Sequence, residues 1–202
     1  IVYVDDIIIT GDDEKEIRNL KSKLALEFEI KDLGNLRYFL GIEVARSSKG
    51  LSLSQRKYVL DLLKETGMIG CKPASTPMEH NLKFTHDKEV APVERGSYKK
   101  LVGKLIYLAH TRPDISFPVS IVSQHMHNPN EEHMEAVMRI LRYLKGTPGV
   151  GLLVQKHTER KISIYTDASW AGDLSDRRST SAYCTYVWGN LVTWRSKKQV
   201  VV

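Results

Sequence analysis

Apolar and polar positions follow two rhythms along this chain, helical through the middle and strand-like at the start and after about residue 150. At the start, Ile1-Val2-Tyr3-Val4 and Ile7-Ile8-Ile9 are apolar runs rich in β-branched residues, and Asp5 and Asp6 lie between them. Such runs predict buried, pleated strands, and two residues between strands predict a hairpin with Asp5 and Asp6 at its tip. Asp13-Glu14-Lys15-Glu16 predicts a helix start, a capping Asp with Glu three residues on. Ile17, Leu20, Leu24 and Phe28 then share one face, and Gly34 marks the end. A strand over about 37–46, a turn at 47–50 and a strand over about 51–54 follow. Ser54 stands where it can cap a helix whose apolar face is Tyr58, Val59, Leu62 and Leu63.

From about 70 to 96 the chain carries prolines, scattered charges and little periodicity, which predicts a linker. Three helices come next. Tyr98, Leu101, Val102, Leu105 and Ile106 line the first, and Pro113 opens the second. Asn128-Pro129-Asn130-Glu131 predicts the start of the third, with Asn128 as cap and Met134, Val137, Met138, Leu141 and Leu144 on its face. Gly146 and Pro148 stop it. Strands are predicted at about 150–155, 161–167, 181–188 and 191–195, with a hairpin turn at Gly189-Asn190. The result is an α+β chain.

Composition narrows the class. A chain of 202 residues, 42% hydrophobic and 27% charged, is long enough for a core and is globular in composition. Cys71 and Cys184 lie far apart, with neither a disulfide framework nor zinc-ligand spacing, which suits a reduced intracellular setting. No apolar run approaches the length of a membrane span, so no membrane partner is expected. A net charge of +6 and a pI near 9.2 favour an anionic partner. Basic residues cluster at Lys99-Lys100-Lys104, Arg177-Arg178 and Arg195-Lys197-Lys198, where they can meet phosphates or simply be solvated. His125, His127 and His133 lack metal-ligand spacing and read as surface or core histidines. Both ends fall inside predicted elements, the pattern of a piece of a longer or interrupted reading frame.

The paired carboxylates are the clearest chemistry. Asp5 and Asp6 repel each other without a basic neighbour in sequence, and Mg²⁺ relieves such repulsion by taking carboxylate oxygens together with substrate phosphates. An isolated Asp-Asp is more often an acidic turn, but Asp-Asp is a poor two-residue turn beside Asn-Gly or Asp-Gly.

With its apolar flanks, Tyr3-Val4-Asp5-Asp6 resembles the signature hairpin of reverse transcriptases. Further segments resemble one group, the Pol polyprotein of copia-type LTR retrotransposons. They are 38–44 (Tyr38-Phe39-Leu40-Gly41-Ile42-Glu43-Val44), 53–58, 101–108, Thr111-Arg112-Pro113-Asp114-Ile115, 142–147, 165–172 and 176–181. They run in family order over essentially the whole chain. The resemblance implies the end of a polymerase palm with a primer-grip-like hairpin (1–69), a linker (70–96), a helical thumb (97–148) and a truncated RNase H-like α/β domain (149–202). It also implies RNA-directed DNA synthesis and RNA-strand cleavage in the parent protein. Asp5 would be the stronger and Asp6 the weaker metal ligand, Tyr3 would lie near the primer end, and Asp167 would be the first metal-binding Asp of RNase H. The cofactor would be Mg²⁺. The partners would be RNA template, DNA primer, RNA–DNA hybrid and the remainder of the polyprotein. Hybrid would be held through Lys99, Lys100, Lys104, Arg177 and Arg178. The setting would be a cytoplasmic virus-like particle or the nucleus. The family's upstream palm Asp and fingers are absent from these residues, as are the later Glu and two Asp of RNase H. Asp173 and Asp176 fall in a loop, Ala182 stands where the family usually has Gly, and Lys31 reads as a surface charge. The expectation is a catalytically incomplete piece of such an enzyme, with a non-enzymatic duplex-binding or hybrid-binding module as the alternative.

Overall fold

Apart from Val44, the buried apolar residues lie in helices, and none lies in the terminal hairpin. The computed structural model describes residues 1–80, 82, 84, 90–172 and 177–200, so Asp173 and Asp176 lie outside the described residues. Residues 1–39 and 40–202 form separate compact units.

In the first unit, β1 (Val2–Tyr3) pairs antiparallel with β2 (Asp6–Ile7), and α1 covers Glu14–Glu27. The Asp13 carboxylate caps α1 by accepting from the N–H groups of Lys15 (2.9 Å) and Glu16 (3.0 Å). After the helix, Asp32 accepts from Lys21 Nζ (2.9 Å) and from the N–H of Gly34, whose φ of 74° suits glycine. No residue of 1–39 is buried, and Ile1, Val2 and Val4 are 71–79% exposed. The expectation of buried strands is therefore corrected. The residues have the β-branched character of buried strands, but α1 contributes no buried residue to cover them.

In the second unit, α2 (Arg56–Glu65), α3 (Arg95–Leu108), α4 (Ser116–Ser123) and α5 (Glu131–Gly146) share one core. Its centre is Leu63, Tyr98, Val102, Leu105, Val122, Ile140 and Leu141. Fully burying a side chain of this kind is worth about 1.5–3 kcal/mol, and the Tyr98 hydroxyl keeps that gain by donating to Val122 O at 2.8 Å.

Several boundaries differ from expectation for local reasons. Ser54 does not cap α2, because it is held in β5 (Gly50–Ser54), opposite Glu43 of β4 (Ile42–Ser47). The cap position is Gln55, whose buried amide instead accepts from Thr111 Oγ1 (2.7 Å). The Glu43 carboxylate takes the Lys57 N–H at 2.7 Å, so the orphan donors at this helix start are met from a distant strand. The predicted strand 37–46 is broken after β3 (Tyr38–Phe39), where Leu40 and Gly41 both have positive φ (49° and 78°). Helix α5 is capped by Asn130, not Asn128. Ala91 O accepts from the Glu131 N–H and Pro129 O from the Val93 N–H, which holds 129–131 against 91–93. Asn130 and His133 then exchange bonds in a capping box (3.0 and 3.1 Å).

After α5 the chain returns to the sheet that contains β4 and β5. β6 (Gly151–Val154) pairs antiparallel with β5, Leu53 opposite Leu152. A Cβ on Gly151 would drive into Leu53 O, and one on Gly50 into Val154 O, so both glycines permit this pairing. β7 (Ile162–Ser169), β8 (Thr180–Val187) and β9 (Asn190–Lys198) form a separate antiparallel meander. Its last turn is Trp188-Gly189, not Gly189-Asn190, because Trp188 and Gly189 take positive φ (50° and 75°) and Asn190 pairs with Val187.

Candidate functional site

The hairpin places the acidic pair one residue away from the expected position. With Tyr3 opposite Asp6 and Val2 opposite Ile7, the two turn residues are Val4 and Asp5. Asp6 is the first residue of the returning strand. The ends of the hairpin are closed by the Ile1 amino group donating to Ile8 O (2.9 Å) and the Ile8 N–H donating to Ile1 O (2.8 Å). Val4 has φ 50°, a left-handed conformation that is costly for a β-branched residue. Asp5 and Asp6 are exposed, and Tyr3 meets Phe39 edge-on at 6.3 Å. Among the described residues, no three His, Cys, Asp or Glu side chains are grouped so as to hold a metal. The two carboxylates present do not by themselves fit a two-metal site, which needs further ligands beside them.

The second candidate carboxylate, Asp167, lies in β7 opposite Ala182, is exposed, and accepts from the Ala168 N–H at 2.9 Å. Thr166 is opposite Tyr183, which is opposite Arg195, and Ala168 is opposite Ser181, which is opposite Lys197. Side chains alternate between the faces of a strand, so Arg195 and Lys197 share the face of Thr166 and Ala168, while Asp167 points to the other. Arg177 is exposed with φ 57°, and Arg178 is half-buried.

The helical lysines divide. Lys99 is half-buried on α3. Lys100 and Lys104, one turn apart, both reach the Glu65 carboxylate at the end of α2, Lys100 at 3.1 Å and Lys104 closer still. Hydrogen bonds from Lys104 and then Lys100 hold the Glu65 carboxyl below the usual range for its kind. Glu65 was not legible as part of this site, because the contact crosses from one helix to another. The only local signal is the Lys-x-x-x-Lys spacing, which puts two like charges on one face and leaves room for a carboxylate between them.

Residues 1–80 match the family model described as reverse transcriptase (RNA-dependent DNA polymerase). The chain is 47% identical over 199 residues to a retrovirus-related Pol polyprotein from transposon RE1 of Arabidopsis thaliana, covering 98% of this chain and 14% of that protein. It is 39% identical over 213 residues to the retrovirus-related Pol polyprotein from transposon TNT 1-94 of Nicotiana tabacum, covering 100% of this chain and 16% of that one. It is also 40% identical over 202 residues to an uncharacterized mitochondrial protein of Arabidopsis thaliana, covering 100% of this chain and 84% of that protein. No solved structure matches the chain. The chain therefore spans about one seventh of the polyproteins it matches, at 14% and 16% of their lengths. On these likenesses the chain belongs to the Pol polyprotein family of copia-type LTR retrotransposons.

Proposed function

We propose that the chain is the part of a reverse transcriptase that runs from the end of the palm into RNase H. The palm end with its primer-grip-like hairpin is 1–69, the linker 70–96, the helical thumb 97–148 and the start of RNase H 149–202. The observation that carries this reading is the Tyr3-Val4-Asp5-Asp6 hairpin, with Asp5 in a two-residue turn inside the segment matched to reverse transcriptase. In it, Asp5 and Asp6 serve DNA synthesis, Tyr3 lies near the primer end, and Asp167 serves RNA cleavage. Template RNA, primer DNA and the rest of the polyprotein are the partners, in a virus-like particle or the nucleus. No described helix is long and apolar enough to cross a membrane.

Taken alone, these 202 residues do not synthesise DNA, because Asp5 and Asp6 have no third carboxylate beside them among the described residues. Primer extension on poly-rA with Mg²⁺ or Mn²⁺ tests this, and extension that disappears in Asp5→Asn overturns it. The reading as a whole is tested in the longer polyprotein that carries this segment. There Asp5→Asn abolishes extension and spares hybrid-RNA cleavage, and Asp167→Asn does the reverse. Loss of neither activity refutes the assignment. A second reading, a duplex-binding module without catalysis, is favoured by the basic face of α3, a helix that contributes to the buried helical core.

A further inference from the structure

The segment Gln155-Lys156-His157-Thr158-Glu159-Arg160-Lys161 joins β6 to β7 and has the polar, charged composition of a loose linker. Its contacts are those of a strap. The Gln155 N–H donates to Asn190 Oδ1 at 2.7 Å, and Asn190 Nδ2 donates back to Gln155 O at 2.9 Å, so a side-chain amide pairs with the chain as another strand would. The His157 ring lies over Gly189, where an added Cβ would meet three ring atoms at 3.2–3.3 Å. The Arg160 guanidinium sits 5.3 Å from the centre of the Trp188 ring, and Lys161 O accepts from the Trp188 N–H at 2.8 Å. Trp188 is thus met by Arg160 and Lys161, Gly189 by His157 and Asn190 by Gln155. On the opposite side, Gln155 Nε2 donates to Lys49 O, in the turn between β4 and β5 (3.1 Å).

We infer that residues 155–161 form a clasp that locks the β8–β9 turn to the β4–β5 turn, so that the β7–β9 sheet is carried as a fixed attachment of the helical body and not as a tethered domain. The glycine at 189 is part of the device: its positive φ makes the turn, and its missing Cβ admits the His157 ring. A second anchor supports the same placement, Trp194 Nε1 donating to Ala109 O at the end of α3 (3.1 Å). The consequence is a set orientation between the strand that carries Asp167 and the helix, α3, that carries Lys100 and Lys104. The clasp is independent of whether that strand belongs to a nuclease.

The clasp contains three tryptic sites, Lys156, Arg160 and Lys161, so limited proteolysis of the full chain reads it directly. The native chain is expected to resist trypsin at these sites, and Asn190→Ala, which removes both bonds to Gln155, to be cut there about tenfold faster or more. Equal cleavage of the native chain and a free peptide spanning 155–161 overturns the inference, as does an unchanged rate in Asn190→Ala. Should Asn190→Ala fail to fold, hydrogen exchange on the native chain decides. The Gln155 and Trp188 amides are protected if the clasp exists, and exchange like an open loop if it does not.

Discussion

Arg112 and Asp114 are two residues apart in sequence and face each other across a forked contact. Asp114 accepts from Arg112 Nε (2.9 Å) and Nη2 (2.7 Å), on either side of Pro113. Arg112 is wholly buried, and it also donates from Nη1 to Thr147 O and from Nη2 to Thr147 Oγ1, both at 2.8 Å. Tyr143 completes the node by donating to Asp114 at 2.8 Å while its ring lies 5.7 Å from the guanidinium. A buried cation is tolerated when its charge is countered and its donors are paired, and here the charge faces Asp114 and each of the three guanidinium nitrogens has an acceptor. Two of the segments that carry the family resemblance, 111–115 and 142–147, therefore meet in one lock between the start of α4 and the end of α5.

Removing the carboxylate leaves the guanidinium buried without its counter-charge. Asp114→Ala is expected to cost about 3 kcal/mol, the low end for breaking a buried pair, since Asp114 keeps some contact with solvent. Urea denaturation measures it. A loss under a few tenths would show that the lock contributes little.

The same pair sets a response to acid. Burial pushes the Asp114 carboxyl up, but the Arg112 hydrogen bonds and charge outweigh it, and the group lies below its ordinary value of 3.8. A carboxyl lowered by folding contributes stability that is fully present above its unfolded value and is lost as the pH falls through the folded one. Stability is therefore expected to be insensitive to this group at neutral pH and to fall below about pH 4. In Asp114→Asn that part of the acid limb should flatten, read from denaturation midpoints between acid and neutral pH.

How much of this was legible in the sequence depends on the range of the interaction. The stripe Val59, Leu62 and Leu63, and the cap at Asp13, were readable because both depend on residues within a turn or two. The caps of α2 and α5 were misplaced because distant partners decide them: Glu43 from β4 for one, the 91–93 segment for the other. The acidic hairpin was recognised, yet its turn slipped by one residue. Turn composition argues against Val at φ 50°, and only the pairing of Tyr3 with Asp6 reveals it there. Ile140 and Ala136 escaped the predicted face of α5, since that helix is buried on a wider arc than one apolar stripe. The pairing of Lys100 and Lys104 with Glu65 joins helices nearly 40 residues apart in sequence and had no local signal beyond the lysine spacing.

Two glycines should respond in opposite directions to the same substitution. Gly151→Ala puts a methyl into the Leu53 carbonyl and is expected to cost about 2–3 kcal/mol by forcing β5 and β6 apart. Gly103 sits exposed within α3 with nothing near its missing Cβ, so Gly103→Ala should stabilise by up to about 1 kcal/mol. Thermal denaturation of the two variants checks both signs.

Protection from hydrogen exchange should be deepest in α3 and α5, whose buried residues fill the centre of the core, and shallowest in 1–39, where none is buried. Slowest exchange in β7–β9 would contradict this ordering.

The last prediction concerns Glu65. If the thumb reading is right, Lys100 and Lys104 bind the phosphate backbone, yet a carboxylate now holds both. The three side chains are 69%, 28% and 45% exposed, so these pairs are worth little individually and a phosphate can displace the carboxylate. Glu65→Gln removes the competitor and one negative charge from the face. It is expected to tighten binding to an RNA–DNA hybrid of any sequence and to steepen its salt dependence, by about 0.9 in the log–log slope for each phosphate newly engaged. The triple variant Lys99→Ala, Lys100→Ala, Lys104→Ala should weaken binding and flatten that slope. Fluorescence anisotropy across a salt series distinguishes the cases. If the triple variant binds as the native chain does, the contact lies elsewhere, with Arg177-Arg178 the next candidate. If the triple variant weakens binding but Glu65→Gln does not strengthen it, the lysines act on phosphate while Glu65 only braces the two helices.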